Sequence, residues 1–306
     1  MELHYLAALR AAFDGDRRTC RNGDTRAIFA VQMRHDLRTG FPLLTTKTMK
    51  PASILGELLW FLEGGKNSPV PYRMDNNRLR EIQGLAPDKK TIWSHDCEKP
   101  EWLKKAQFPG DCGRIYGSQW RDWDGVAVAN ESGHFGRGVD QLERLVNLIK
   151  NDPTSRYMKV TAWNPAELSD MCLPPCHGDF QCFVRTGHSG EKLLSLHMVQ
   201  RSCDLFLGVP YNIASYAYLL HMLAHVTGCV AHELVITLND AHIYEAHVEA
   251  VQTQLRRKPH FLPKLVIDGI DPFAGVDTTT SLDDFRMEHF TILNYHPDEA
   301  IKAPLL

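Results

Sequence analysis

The chain has 306 residues, 43% of them hydrophobic and 23% charged, with a formal net charge of -3. That balance supplies enough apolar mass for a large core and excludes intrinsic disorder, while the slight acidity argues against broad binding to a polyanion such as a DNA duplex. No apolar run approaches the roughly 18 residues of a membrane helix, so no membrane partner is expected, and Met1-Glu2-Leu3-His4-Tyr5 does not read as a secretion signal.

Leu6, Leu9 and Phe13 recur at helical spacing, which predicts a helix over Tyr5 to Phe13. An exposed basic loop suited to a phosphate is read from Gly15 to Gly23, with Arg17, Arg18, Arg21 and Arg26 in or beside it. Arg26 to Leu37 reads as a strand pair entering the turn Gly40-Phe41-Pro42. Ser53 is then expected to cap a helix whose Ile54, Leu55, Leu58, Leu59 and Leu62 form one apolar face, ending at Gly64-Gly65. Glu57 interrupts that face. It is either a helix-surface glutamate or a carboxylate in a poorly solvated site.

Residues 73 to 113, rich in charge, proline and lysine around Trp93 and Trp102, predict an irregular excursion with some helix, so 1–306 reads as a single domain. Val139 to Asp152 predicts an amphipathic helix closed by the turn Asn151-Asp152-Pro153. Tyr157 to Trp163, Asp179 to Arg185 and Leu193 to Gln200 alternate as strands of a core sheet, the last two joined by a turn over Thr186 to Gly190. An apolar helix over Ile213 to Val226 stops at Gly228, and a second helix is read over Ala241 to Arg257 with His242, Tyr244 and His247 near its start. His221 and His225 stand four residues apart, as zinc-binding histidines do, but Met222 occupies the place of the metalloprotease glutamate, so no metal is expected. The eight cysteines form no CxxC pair, which argues against a disulfide framework and for free thiols in a reducing, cytoplasmic compartment.

The chemistry concentrates in Leu173-Pro174-Pro175-Cys176-His177 and in the run from Gln200 to Asn212, which contains Arg201. Only a thiolate is a useful nucleophile, and a neighbouring guanidinium such as that of Arg201 lowers a cysteine's pKa toward neutrality. The two prolines hold Cys176 rigidly at a turn.

With Gly40 to Lys47, Glu57 to Leu62, Tyr116-Gly117-Ser118-Gln119-Trp120-Arg121, Ala162-Trp163-Asn164-Pro165 and Asp240-Ala241-His242-Ile243-Tyr244, these blocks resemble the thymidylate synthase superfamily, in order, from near Arg21 to the end of the chain. The resemblance implies an α/β (α+β) fold with a mixed sheet and flanking helices, two sheets packing back to back in a homodimer. It also implies a pyrimidine nucleoside monophosphate substrate and 5,10-methylenetetrahydrofolate as co-substrate. By motif position Cys176 is then the nucleophile that adds to C6 of the pyrimidine, Glu57 manages protons through water, and Tyr116 assists proton removal at C5. Arg201 binds phosphate and steadies the thiolate, and Arg156 is supplied across the dimer interface. Arg21, Gln200, Ser202, His242 and Tyr244 match the nucleotide side, and Asn212 matches the asparagine that reads the base, favouring uracil over cytosine. Lys47, Trp93, Leu173, Asp204, Gly208 and Tyr211 match the folate side.

Several departures bear on the product. Asp96 stands where the family has a second tryptophan, the tail Ala303-Pro304-Leu305-Leu306 is slightly short, and Arg18 to Asp24 departs from the usual phosphate loop. Tyr157 and Ala52 stand where arginines are expected, and Asp179 replaces an aromatic. A wetter pocket lets water, not hydride, reach the exocyclic methylene that forms on C5, giving hydroxymethyl in place of methyl. The sequence therefore favours 5-hydroxymethylation of a (deoxy)uridylate or (deoxy)cytidylate, with thymidylate synthase as the alternative and a catalytically silent nucleotide- or RNA-binding regulator as a third reading.

Overall fold

A computed structural model describes residues 1–20, 22–125, 138–267 and 281–305. Arg21 therefore lies outside the described residues. In chain order the elements are helix α1 (Glu2–Phe13), strands β1 (Asp16–Cys20) and β2 (Gly23–Asp36), helix α2 (Pro51–Glu63), and the short helices α3 (Asn76–Ile82), α4 (Ser94–Cys97), α5 (Pro100–Leu103) and α6 (Gly117–Arg121). Helix α7 (Gln141–Asn151), strands β3 (Lys159–Val160), β4 (Asp179–Thr186) and β5 (Lys192–Asp204), helix α8 (Gly208–Thr227), strand β6 (Val230–Tyr244), helix α9 (Val248–Leu255) and the pair β7 (Lys264–Ile267) and β8 (Phe290–Leu293) complete the order.

Among the described residues six strands form one mixed sheet in the order β1-β2-β6-β5-β4-β3, in which only β5 and β6 run parallel. A parallel neighbour requires a crossover, and α8 supplies it. That helix is apolar nearly all round, and it is buried against the sheet and α2. Gly228, at φ 67, ends it in the left-handed conformation that glycine adopts without strain. Leu194, Leu196, Met198, Leu234, Ile236 and Leu238 point from β5 and β6 into the same core, all fully buried. The opposite face of the sheet carries Phe183, 64% exposed, with Arg34, Arg185 and His197 around it. Among the described residues no helix is long and apolar enough to cross a membrane.

Several expectations from local pattern are corrected. The basic segment before Gly23 is the strand β1, paired along its length with β2, not a loop. The expected strand pair over 26–37 is one strand of 14 residues, kinked where Ala30 takes φ 62 and the register with β6 is interrupted. Ser53 does not cap α2, because Pro51 opens that helix with its φ already set, and Lys50 is the capping residue. Of the strand expected over Tyr157 to Trp163, only Lys159–Val160 pairs with β4. Side chains take the ladder's place beyond it: Thr161 exchanges hydrogen bonds with the Gln141 amide, and the Asp179 carboxylate accepts from Thr161 Oγ1 at 2.6 Å and from the Ala162 N–H at 2.9 Å.

The largest correction concerns 241–257. Ala241 to Tyr244 is the end of β6, hydrogen-bonded to β2 on one side and, through His242, to β5 on the other; a single 3-10 turn over Glu245–His247 follows, and α-helix begins at Val248. Helical spacing in a segment this short does not outweigh two flanking strands that satisfy its backbone. His242 and Tyr244 thus project from a central strand.

Candidate active site

Cys176 sits on the turn between β3 and β4, and its place is fixed mainly by Arg201 on β5. The Arg201 backbone N–H donates to the Cys176 carbonyl at 2.8 Å. Its guanidinium donates to the carbonyls of Pro175 at 2.7 Å and Pro174 at 3.0 Å, with Nη2 3.9 Å from Cys176 Sγ. Prolines offer acceptors and no donors, so a rigid Pro-Pro turn beside an arginine is held by carbonyl contacts of this kind. Trp163 lies flat beneath the same guanidinium, 4.9 Å from it.

Behind the cysteine is a wall of rings. Tyr116, strained at φ 31 at the head of α6, stacks on Phe61 at 4.8 Å and packs against His177 and Trp93. The Cys176 N–H donates to Tyr116 Oη at 2.8 Å. Burial pushes the Tyr116 hydroxyl well above its ordinary pKa and lowers His177 to about 3, so both are neutral. His177 Nδ1 lies 3.1 Å from Tyr216 Oη. Burial also raises the Cys176 thiol above its ordinary value, and the opposing pull of Arg201 is the smaller effect. The expectation that Arg201 brings Cys176 toward neutrality is therefore corrected for the unliganded chain: the guanidinium offsets part of the desolvation without overcoming it.

Glu57 faces the same cleft from α2. Trp93 Nε1 donates to its carboxylate at 2.7 Å, and burial raises it from 4.5 to about 7. Of the two sequence readings, the poorly solvated one is correct. The carboxylate is half-buried among the apolar neighbours of α2, and Tyr211 on α8 feels its charge.

Gln200, Ser202, Asp204 and Asn212 converge at the end of β5 and the start of α8. Ser202 pulls the Cys176 pKa down, against the effect of burial. The buried Gln200 Nε2 donates to the Ser202 carbonyl at 3.0 Å and to Asn212 Oδ1 at 3.1 Å, while Gln200 Oε1 is buried without a protein partner. Asp204 accepts from the N–H groups of Phe206 and Leu207, fixing the turn into α8. Gly208 follows with only ordinary contacts waiting for an added methyl, so its backbone does not demand glycine. Lys47 is buried, donates to the Phe206 carbonyl and lies 3.9 Å over the Phe206 ring, and desolvation lowers it to about 8. His242 hydrogen-bonds Asp240, which also holds Arg18 at 2.6 Å, and packs edge-on against Tyr244.

Thus the structure gathers Cys176, Arg201, Ser202, Gln200, Asn212, Tyr116, Glu57 and Trp93 around one cleft, with Leu173 three residues before the cysteine. Arg156 stands apart: it is exposed, and its carbonyl accepts from Gln181 at the outer face of the sheet. Arg26 is committed elsewhere, to Glu245 and the Phe13 carbonyl. Sequence reasoning gives His177 and Trp163 no role, although both stand inside the quoted motifs. Among the described residues no cluster of histidine, cysteine and carboxylate groups is arranged to hold a metal.

Fold and site together define an α/β enzyme built around a thiol, a guanidinium and a buried carboxylate. The thymidylate synthase family model matches residues 4–306. A thymidylate synthase of Coxiella burnetii (strain Dugway 5J108-111) is 43% identical over 303 residues, 98% of each chain, and those of strains RSA 331 / Henzerling II and RSA 493 / Nine Mile phase I match equally. The chain belongs to the thymidylate synthase family. It is a one-carbon transferase with 5,10-methylenetetrahydrofolate as co-substrate.

Two outcomes are expected. Glu57→Gln removes a carboxylate whose folded-state pKa lies above its unfolded value, so the native glutamate weakens stability progressively as pH rises from the unfolded value through about 7. Thermal unfolding should show the variant more stable at alkaline pH, by up to about 3 kcal/mol, with the gain vanishing in acid. Arg201→Ala should move the pH midpoint of Cys176 alkylation by iodoacetamide upward; an unchanged midpoint overturns the electrostatic role of Arg201.

Proposed function

We propose that the protein is a thymidylate synthase, methylating C5 of deoxyuridylate reductively. The observation that carries this reading is the docked C-terminal tail. His247 Nε2 lies 2.8 Å from the Pro304 carbonyl, and His247 packs on Phe206 and Tyr244, so this segment lies against the side of the site that we assign to folate. A covered pocket excludes water from the C5 methylene, which is what methyl formation needs. The relatives named thymidylate synthase over nearly the whole chain support the same reading.

The residues take these roles. Cys176 loses its proton as nucleotide binds and adds to C6 of the uracil, with Arg201 and Ser202 beside its sulfur and Arg201 also facing the 5′-phosphate. Arg21 joins the phosphate side. Glu57, titrating near 7, moves protons to and from the base through water, and the neutral hydroxyl of Tyr116 accepts and relays the C5 proton. The Ser202 carbonyl fixes the orientation of the Gln200 amide, since only an N–H can face it. Gln200 in turn fixes Asn212 Oδ1 toward itself. The Asn212 N–H group is left to donate to O4 of uracil, an acceptor that cytosine replaces with a donor. His242 and Tyr244 take the sugar hydroxyl. Trp93, Leu173, Asp204, Gly208, Tyr211 and Lys47 line the folate side, where the folate supplies the one-carbon unit and the hydride.

Hydroxymethylation is the second reading, and one observation favours it. Asp96 ion-pairs with Lys99 on the edge of α4, and its charge reaches Cys176, so a carboxylate stands where the family has tryptophan. Asp179 gives no such support, because its carboxylate is engaged with Thr161 and Ala162.

A homodimer completes the site. The sheet face bearing Phe183 is unpartnered within the chain, and Arg156 lies on it, pointing away from its own cysteine's pocket.

Incubation with deoxyuridylate and 5,10-methylenetetrahydrofolate is expected to yield a methylated nucleotide with dihydrofolate absorbance; a hydroxymethyl product with tetrahydrofolate selects the second reading, and turnover insensitive to Cys176→Ser overturns both. Phe183→Glu is expected to yield an inactive monomer by analytical ultracentrifugation, and a monomeric wild type overturns the shared site.

A further inference from the structure

Three thiols meet beside the nucleophile's loop and take no part in the chemistry above. Gly113 and Met171 form an antiparallel bridge, flanked by hydrogen bonds from Arg114 N–H to the Asp170 carbonyl at 3.0 Å and from Cys172 N–H to the Cys112 carbonyl at 3.1 Å. Cys112 and Cys172 are therefore opposed one step along from that bridge, joined by one backbone hydrogen bond, while the Cys112 N–H donates to the Met74 carbonyl at 2.8 Å. Opposed residues of antiparallel segments hold their Cα atoms about 4.5 to 5.5 Å apart, inside the window of about 4.4 to 6.8 Å that a disulfide spans. The Cys112 thiol interacts electrostatically with that of Cys172 and with that of Cys97 at the end of α4. Cys112 is fully buried, whereas Cys172 is partly open to solvent.

We propose that Cys112 and Cys172 are a peroxide-sensitive modification site, forming a reversible disulfide that ties the 73–113 excursion to the turn carrying Cys176. Cys172, the reachable thiol, attacks the peroxide O–O bond as its thiolate, giving a sulfenic acid and releasing water or an alcohol. Cys112 then attacks that sulfur, the S–S bond forms, and hydroxide leaves with the remaining proton as water. Two thiols are oxidised by two electrons and one peroxide is reduced. Cys97, which also interacts with Cys112, is the sulfur through which the bond can exchange.

The site lies four residues before Cys176, and Cys172 adjoins Leu173 on the folate side. Trp93 and Asp96 lie on the excursion that the bond anchors. A covalent tie between these walls restricts their closure over the folate, so oxidation lowers activity without touching the nucleophile. The thiol chemistry itself does not depend on whether methyl or hydroxymethyl is the product.

The test treats the full-length protein with hydrogen peroxide or diamide in the presence of nucleotide, then maps cysteines by mass spectrometry under non-reducing conditions. The expected result is a Cys112–Cys172 cross-linked peptide, formed also in Cys97→Ala and absent in Cys172→Ala. A several-fold fall in kcat/KM for the folate should accompany it, reversed by dithiothreitol and missing in Cys172→Ala. Oxidation confined to Cys176 or Cys20, a cross-link only between Cys97 and Cys112, or a Cys112–Cys172 bond that leaves kcat/KM unchanged would overturn the proposal.

Discussion

The site depends on one guanidinium. Arg201 ties the Pro174 to Cys176 turn to β5 through two carbonyls and its own backbone, and its charge lies within 4 Å of the sulfur, at 3.9 Å. A turn with two prolines presents no N–H to a neighbouring strand, so it needs donors from outside. Arg201 supplies them from a rigid element in the middle of the sheet, and Trp163 holds its plane from below. The same contacts limit what the charge does. A guanidinium shared with two carbonyls does not fully offset the burial of Cys176, whose thiol is held above its ordinary pKa.

Burial sets the remaining charges in the same way. Glu57 titrates near 7, Lys47 near 8 and His177 near 3, each because desolvation disfavours its ionised form. A ring-walled cleft with few water contacts thus holds groups whose protons move within reach of neutral pH, and imidazole is kept out of that exchange. The aromatic wall of Phe61, Trp93, Tyr116 and His177 both supports the backbone strain at Tyr116 and keeps the dielectric low.

Substitutions that look alike in sequence differ in what they touch. Asp179 replaces an aromatic residue but serves the sheet edge, where Thr161 and Ala162 need an acceptor because β3 is only two residues long. Asp96 faces the site's electrostatic field. The segment at Pro304 reaches His247.

The sequence by itself determined the family, the nucleophile's turn, the α2 and α8 helices and most of the residues now found around the cleft, because fixed motifs carry fixed backbone environments. It also marked Glu57 as anomalous, though only packing decided between a surface and a buried carboxylate. Tertiary structure decided the rest. Local spacing places His242 and Tyr244 on a helix, whereas pairing with β2 and β5 makes them strand residues. The opposition of Cys112 and Cys172 is equally invisible in a sequence where 60 positions separate them. The pKa of Cys176 depends on two competing environments, and a motif names the guanidinium without giving the desolvation that outweighs it. Contacts between distant segments and the degree of water exclusion are properties of the assembled chain, and these set the charge states on which the chemistry runs.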